Sequence, residues 1–227
     1  MGNAVSGTVA PLVRSVDPCF SQLPPFVLRT QCCQPPHAGS SQPKPSWLVS
    51  YDGKKNVAIC GSSGAGKSTL INTLRGIKPT DPGAAAVGVV ETTLGTPKCY
   101  EYKQYMLWDL PGANTVKIPK DQYIVQYGLK DMDAVIIVAA GRSVEVELEI
   151  MQWLNAFNVP WIYVRSKLDT DIRNNKEDFG FTPQQTIEAI QKDMKQNFNQ
   201  LHNCPQLFVI SSRDKSLLVI GNHLNVR

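Results

Sequence analysis

A glycine-rich loop constrains this chain more than any other feature of its sequence. Residues 61–69 match the pattern G-x-x-x-x-G-K-S; the short apolar run 56–60 precedes them and the helix-forming run 70–74 follows. Glycines let consecutive backbone N–H groups point inward, and the dipole of the following helix adds positive potential at the same place. The order strand, loop, helix therefore predicts a phosphate-binding loop in an open α/β sheet.

Two side chains of this loop have predicted tasks. Lys67 is expected to bridge the β- and γ-phosphate oxygens of a nucleoside triphosphate, and the Ser68 hydroxyl is expected to ligate Mg²⁺. The alternative is an ordinary flexible Gly/Ser turn, but a turn does not explain the flanking strand and helix. The predicted phosphate-binding residues are Gly61, Ser63, Gly64, Ala65, Gly66, Lys67, Ser68 and Thr69.

From about residue 47 onward, short apolar runs alternate with longer amphipathic segments. This alternation is typical of βα units on a mostly parallel sheet with helices on both faces, as in the P-loop NTPase fold. We predict strands at 56–60, 105–108, 134–139, 161–164 and 207–210. We predict helices at 68–75, 120–128, 144–157 and 183–198. Ligands of such α/β sheets bind outside the carboxyl ends of the strands.

A second chemical element, the run Asp-Leu-Pro-Gly, follows the predicted strand at 105–108. The Asp109 carboxylate is expected to hold Mg²⁺ through water, and the Gly112 N–H to approach the γ-phosphate. Alone, this tetrapeptide is an ordinary turn. Its place behind an apolar run and after the phosphate loop favours the functional interpretation.

A third element, Arg-Ser-Lys-Leu-Asp at 165–169, indicates which base is bound. The Asp169 carboxylate can accept hydrogen bonds from both N1–H and the exocyclic amine of guanine, a match that adenine does not offer. GTP is therefore favoured over ATP, and the fold is expected to be Ras-like. GTPases usually have Asn or Thr where this chain has Ser166, so one supporting hydrogen bond is expected to be shorter in reach or missing. The predicted base-binding residues are Ser166, Lys167, Asp169, Ser211 and Ser212.

Composition argues against several other classes. The net charge of +4 includes no block of like charges, so no nucleic-acid partner is expected, and no run approaches the ~18 apolar residues of a membrane span. The six cysteines form no C-x-x-C pair, and the three histidines make no ligand spacing with them. We therefore expect free thiols in a cytoplasmic protein and no zinc site.

Together these runs resemble the interferon-inducible immunity-related GTPases, over about residues 50–214. The resemblance rests on the segments 61–76, 83–85, 88–93, 108–112 and 164–169. It implies a dynamin-like enzyme that hydrolyses GTP to GDP with Mg²⁺, self-associates through its GTPase domain, alone or with relatives, and acts at the membranes of intracellular vacuoles in cell-autonomous immunity.

The resemblance also implies roles for three residues of the segment 88–93. Thr93 is the implied switch threonine on Mg²⁺, with Thr92 as second choice, and Glu91 lies at the nucleotide-facing dimer contact. The implied catalytic residues are thus Lys67, Ser68, Thr93 and Glu91. The implied metal ligands are Ser68, Thr93 and Asp109.

The chain departs from related enzymes in two ways. Ala113 stands where Ras-like enzymes have a water-orienting Gln, so intrinsic hydrolysis is expected to be slow. The family also flanks its GTPase domain with a helical domain drawn from both chain ends, which is expected to be missing here. Residues 214–227 are a poor candidate for a closing helix, because Gly221 and Asn222 lie within them.

The N-terminal 46 residues hold eight of the 16 prolines, which predicts a disordered tail ahead of a GTPase domain at 47–227. The first six residues fit M-G-x-x-x-[ST], so Gly2 is the predicted myristoylation site and membrane anchor, an unmodified start being the alternative. One acyl chain binds a membrane weakly. Cys19, Cys32 and Cys33 are therefore candidate palmitoylation sites, or else plain free thiols.

Three functions fit the phosphate loop. The first is a GTPase that acts by in-line attack of water. The second is a nucleotide-binding module with negligible hydrolysis, which acts as a decoy or regulator of full-length relatives. The third is an ATP-dependent kinase, which lacks an evident acceptor site and conflicts with Asp169.

Overall fold

The computed structural model describes residues 44–48, 53–88, 96–113, 120–141, 145–198, 207–213 and 218–221. Within them the strands are β1 (Lys55–Cys60), β2 (Lys98–Tyr102), β3 (Tyr105–Asp109), β4 (Ala134–Ala140), β5 (Trp161–Ser166), β6 (Leu207–Ile210) and β7 (Leu218–Gly221). The helices are α1 (Lys67–Arg75), α2 (Lys120–Gln126), α3 (Glu145–Ala156), α4 (Leu168–Phe179) and α5 (Pro183–Phe198), with a 3₁₀ turn at Leu129–Asp131.

The strands form one sheet in the order β2-β3-β1-β4-β5-β6-β7. The five central strands pair in parallel, whereas β2 and β7 pair antiparallel at the two edges. Central strands of such a sheet are buried on both faces, which explains why β3 and β5 are buried along their whole length. The predicted mostly parallel α/β sheet is confirmed.

Alternate side chains of the sheet belong to two separate cores. Ile59 and Val138 pack with Leu70 and Ile71 of α1 on one face. On the opposite face, neighbouring strand residues pack with apolar side chains of α2, α3 and α5, among them Tyr123, Met151 and Phe198. Because successive side chains of a strand point to opposite faces, a continuous apolar strand such as β4 supplies both cores. Helices therefore cover both faces of the sheet, as predicted.

Two strands and one α-helix of the structure are absent from the sequence prediction. Strand β2 lies at the edge of the sheet and turns into β3 at Lys103, a residue with a left-handed φ of 52° where Gly or Asn would be the usual signal. Helix α4 is mostly polar, and Leu168 is its one buried residue, so it lacks the apolar stripe that predicts a helix. Strand β7 lies within residues 214–227, whose sequence is a poor candidate for a helix.

Residues that precede β1 also pack on the domain. Leu48 is buried in the core that contains α2 and α3, and the Trp47 ring lies 5.0 Å from the Trp108 ring, centroid to centroid. Gly128 approaches Pro45 so closely that a Cβ on Gly128 would lie 2.7 Å from the proline Cγ. None of the helices in the described ranges is long and apolar enough to cross a membrane.

Candidate nucleotide-binding site

The site lies at the carboxyl edge of the sheet, where the ends of β1, β3, β5 and β6 come together. Strand β3 runs to Asp109 and strand β5 to Ser166, each beyond its predicted end. Residues that are far apart in sequence thereby become neighbours around the loop between β1 and α1. This is the edge at which open α/β sheets bind their ligands.

Three glycines of the loop, Gly61, Gly64 and Gly66, have positive φ angles that other residues rarely adopt. Gly61 has a φ of 131°, and a Cβ there would overlap the carbonyl oxygen of Val138 on β4. Gly66 has a left-handed φ of 94° and caps the N-terminus of α1. The first turn of α1 contains no acidic side chain, so the positive end of the helix dipole faces the loop uncompensated by its own residues. Such an end attracts anions.

Lys67 carries the positive charge of the loop. Its side chain is 7% exposed, and Nζ donates hydrogen bonds to the carbonyl oxygens of Gly61 at 3.1 Å and Ser62 at 3.0 Å. The ammonium group thus lies across the first turn of the loop. It is held where a phosphate seated in the loop would meet it.

Ser68 and Asp109, two of the predicted metal ligands, are in direct contact. The Ser68 Oγ donates to Asp109 Oδ2 at 2.6 Å, and Asp109 is 1% exposed. A hydroxyl and a carboxylate are hard oxygen donors of the kind that Mg²⁺ prefers, and Mg²⁺ usually binds one or two protein groups together with water and phosphate oxygens. No cluster of three or more His, Cys, Asp or Glu occurs in the described ranges. The Ser68–Asp109 oxygen pair fits Mg²⁺ bound together with a nucleotide.

Gly112 lies directly against the phosphate loop. A Cβ on Gly112 would lie 2.8 Å from both the Cα and the N of Ser63, so no larger residue fits without a shift. The backbone on either side follows the loop, since Leu110 N donates to the Ile59 oxygen at 3.1 Å and Ala113 N to the Gly61 oxygen at 3.0 Å. The segment after β3 therefore packs against the loop backbone to backbone, with no side chain between them.

A pocket of about 230 Å³ opens beside the phosphate loop. Residues of the loop, of the start of α4 and of the segment after β6 line this pocket. Four of the predicted base-binding residues are among those that line it. The lining residues are Gly66, Thr69, Ser166, Lys167, Asp169, Thr170, Ser212 and Arg213.

Hydrogen bonds orient the wall of this pocket. The Ser211 Oγ donates to Asp169 Oδ1 at 2.8 Å and accepts from Arg213 N at 3.2 Å, which fixes the carboxylate against the segment after β6. The Thr73 hydroxyl of α1 donates to the backbone carbonyl oxygen of Ser212 at 3.1 Å. The Ser212 hydroxyl is buried and makes no hydrogen bond within the described part of the chain. A ligand in the pocket is a candidate partner for it.

Ser166 ties the pocket to the phosphate loop. Its Oγ lies 2.6 Å from the Ala65 oxygen and 3.1 Å from the Ala139 oxygen, and the residue is 2% exposed. The Ser166 hydroxyl is therefore used within the protein, as a link between β5, β4 and the loop. Its predicted contact with a base stays a prediction.

One buried contact of the loop was not predicted. The Ser62 Oγ donates to Glu147 Oε1 at 2.6 Å, and Glu147, in the first turn of α3, is 1% exposed. The two residues are separated by 85 positions in sequence. The sequence offers no clear signal for it, because Glu147 is one of three alternating glutamates at 145–149 and nothing in the sequence distinguishes it from the other two.

Cys60, the last residue of β1, is buried and its thiol has low reactivity. Burial raises the pKa of its thiol to about 12, the nearby Lys67 ammonium opposes this rise, and the Glu147 carboxylate adds to it. Thiolates are the reactive form of cysteine, so a thiol with this pKa is inert near neutral pH. Cys60 therefore contributes packing beneath the loop.

Several predicted residues lie outside the described ranges. They are Gly2, Cys19, Cys32, Cys33, Glu91, Thr92 and Thr93. The predicted roles of these residues in acylation, metal binding and dimer contact stay predictions.

Comparisons with known proteins agree with the topology and the loop, which together define a domain of the P-loop GTPase fold. Residues 51–218 match the family model described as Interferon-inducible GTPase (IIGP). The chain therefore belongs to the interferon-inducible GTPase family, as the sequence resemblance predicted.

Two relatives illustrate the match. Interferon-inducible GTPase 5 of Rattus norvegicus is 33% identical over 69% of this chain and 35% of its own length. T-cell-specific guanine nucleotide triphosphate-binding protein 2 of Mus musculus is 33% identical over 71% of this chain and 40% of its own length. The chain thus spans well under half the length of these relatives.

Solved structures with a similar fold are more distant. The translation elongation factor SelB of Methanococcus maripaludis, in complex with the GTP analogue GppNHp, is 22% identical over 72% of this chain and 31% of its own, with a TM-score of 0.46. The G domain of the T. maritima FeoB iron transporter is also 22% identical, with a TM-score of 0.40 over 70% of this chain and 89% of its own.

We expect Ser62→Ala to lower the free energy of unfolding by about 1–3 kcal/mol, because it leaves the buried Glu147 carboxylate without its hydrogen-bond donor from the loop. Urea denaturation without nucleotide measures this change. Ser63→Ala, in the same loop at an exposed position, is the matched control and should change stability by no more than about 0.5 kcal/mol. Equal effects of the two substitutions would contradict an anchoring role for the Ser62–Glu147 contact.

Proposed function

We propose that this chain binds guanine nucleotide with Mg²⁺ and hydrolyses GTP to GDP and phosphate. One observation carries the proposal: the Lys67 ammonium, the Ser68–Asp109 pair and the Asp169 pocket lie along one edge of the sheet. Each group matches a different part of the ligand, the phosphates, the metal and the base respectively. Membership of the interferon-inducible GTPase family supports the same activity.

Each residue has a task in this proposal. The loop amides and Lys67 hold the β- and γ-phosphates, and Gly112 N–H approaches the γ-phosphate. Ser68, Asp109 and Thr93 would hold Mg²⁺, which supplies charge neutralisation on the phosphate oxygens when bound. Asp169 accepts from guanine, while Ser166, Lys167, Ser211 and Ser212 complete the base pocket.

Hydrolysis is expected to be slow in the isolated domain. Ala113 is 2% exposed and carries a methyl group where a water-orienting amide would be needed. We propose that self-association through the nucleotide face, with Glu91 at the contact, raises the rate. Ala113 equally favours a second candidate function, a nucleotide-binding decoy or regulator of longer relatives with negligible hydrolysis.

Single-turnover GTP hydrolysis at rising protein concentration separates these two functions. We expect the observed rate to rise with concentration, because the rate-raising contact is between two copies. A rate that stays near background at every concentration would favour the regulatory module. Lys67→Ala is the control for the site: it removes the loop ammonium, should abolish triphosphate binding by calorimetry, and should leave the circular dichroism spectrum unchanged.

Asp169→Asn tests the base specificity. The amide offers a donor where guanine also donates, whereas xanthine presents an acceptor in place of the exocyclic amine, so preference should shift from GTP toward XTP. Competition binding with the two triphosphates measures the ratio. Asp171→Asn, a nearby carboxylate on α4 that pairs with Arg165 at 3.0 Å, is the matched control and should keep the GTP preference. A wild-type ratio in Asp169→Asn would mean that this residue does not select the base.

A membrane role depends on the N-terminal segment. We propose a cytoplasmic protein that attaches peripherally to intracellular membranes through myristate on Gly2, with palmitate on Cys19, Cys32 or Cys33 as the second signal. One acyl chain gives an association constant of only about 10⁴ M⁻¹, so two signals are needed for stable attachment.

Gly2→Ala should therefore move the protein from the membrane fraction to the supernatant in cell fractionation. Replacing the three tail cysteines with Ser should weaken membrane retention but preserve the myristate mass in intact-protein mass spectrometry. An unacylated N-terminus, together with an unchanged membrane fraction for Gly2→Ala, would rule this anchor out.

A further inference from the structure

A buried tyrosine of α2 is hydrogen-bonded to the backbone of the segment after β3. Tyr123 of α2 is 2% exposed, and its hydroxyl donates to the carbonyl oxygen of Pro111 at 2.7 Å. The Tyr127 ring packs against the Tyr123 ring at 4.8 Å between centroids, in an edge-on arrangement. The tyrosine hydroxyl is thus fixed in place by core packing, and Pro111 is held by a rigid donor.

The same peptide group that accepts this hydrogen bond carries the Gly112 N–H. No cis peptide bond occurs in the described ranges, so the Pro111–Gly112 peptide is planar and trans. In a trans peptide the C=O and N–H vectors point in opposite directions. A hydrogen bond that fixes the Pro111 carbonyl toward Tyr123 therefore aims the Gly112 N–H away from Tyr123.

Close packing prevents Gly112 from adjusting on its own. It lies against Ser63 with no room for a Cβ, and the next residue is bonded to the loop through Ala113 N and the Gly61 oxygen. The position of Gly112 is thus set by the phosphate loop, and the rotation of the Pro111–Gly112 peptide plane is set by the Tyr123 hydrogen bond. A nucleoside diphosphate has no γ-phosphate and therefore does not contact the Gly112 N–H, whereas a nucleoside triphosphate does.

We infer that Tyr123 is a positioning residue that sets the direction of the Gly112 N–H and, through it, the preference for guanosine triphosphate over diphosphate. The inference rests on the proposed function, because it assigns regulation of the same site. Without the hydroxyl, the peptide plane loses the donor that holds its carbonyl away from the phosphates. A carbonyl oxygen turned toward the γ-phosphate would repel it, whereas an N–H attracts it.

Tyr123→Phe tests this role because it deletes the hydroxyl and keeps the ring. Calorimetry with GppNHp and with GDP, both with Mg²⁺, gives two dissociation constants and their ratio. The GppNHp dissociation constant should rise about 3- to 10-fold, the size expected from one lost hydrogen bond, and the GDP constant should stay within about 2-fold. Tyr127→Phe removes a hydroxyl from the same ring pair without touching Pro111, and should change neither constant selectively.

The ratio of the two constants is measured within each variant, so it is informative even where the substitution lowers stability. A site-specific 3-fluorotyrosine at position 123 keeps the ring and the donor, and should restore the wild-type ratio. Equal weakening of GppNHp and GDP in Tyr123→Phe, or an unchanged ratio, would overturn the positioning role alone. Failure of the wild-type chain to bind either nucleotide would instead overturn the proposed function, and the inference with it.

Discussion

The close approach of three backbone segments at Gly61 is the constraint on which the rest of the site depends. At this residue the end of β1 passes the Val138 carbonyl without room for a Cβ, and the Gly61 oxygen accepts from both Ala113 N and Lys67 Nζ. Any side chain here would separate β1 from β4 and move the loop away from the segment after β3. The neighbouring contacts, Ser68 with Asp109 and Gly112 against Ser63, are possible because this approach is so close.

Hydrogen bonds between buried side chains and the phosphate loop explain how several polar groups can be buried at one edge of the sheet. Asp109, Glu147 and Lys67 are each at most 7% exposed, and each has a hydrogen-bonding partner in the loop or at the start of α1. Buried polar groups are tolerated when they are hydrogen-bonded in this way. The loop is therefore stabilised by its neighbours before any ligand binds, which reduces the ordering that a phosphate must impose.

The central part of this structure could be predicted because it follows from local sequence patterns. Contacts between residues far apart in sequence could not be predicted. The strand β1, the loop and α1 form one continuous motif, so their order and the places of Lys67 and Ser68 follow from adjacent residues. The Ser62–Glu147 bond joins residues 85 positions apart, and no periodicity signals such a pair. Helix α4 was missed for a different reason: its sequence is polar, and it is held by its cap at Gly180 and by α5 more than by an apolar face.

The link between Ser166 and the Ala65 oxygen has a consequence for how separate pieces of a ligand would interact. A single hydroxyl joins the wall of the pocket to the backbone of the phosphate loop, so a shift of the loop on anion binding would be transmitted to the pocket wall. Such coupling is reciprocal: if an anion in the loop raises the affinity of the pocket for a nucleoside, the nucleoside raises the affinity of the loop for the anion by the same factor. A nucleoside and a free polyphosphate, presented as two unconnected molecules, would then bind this edge of the sheet cooperatively.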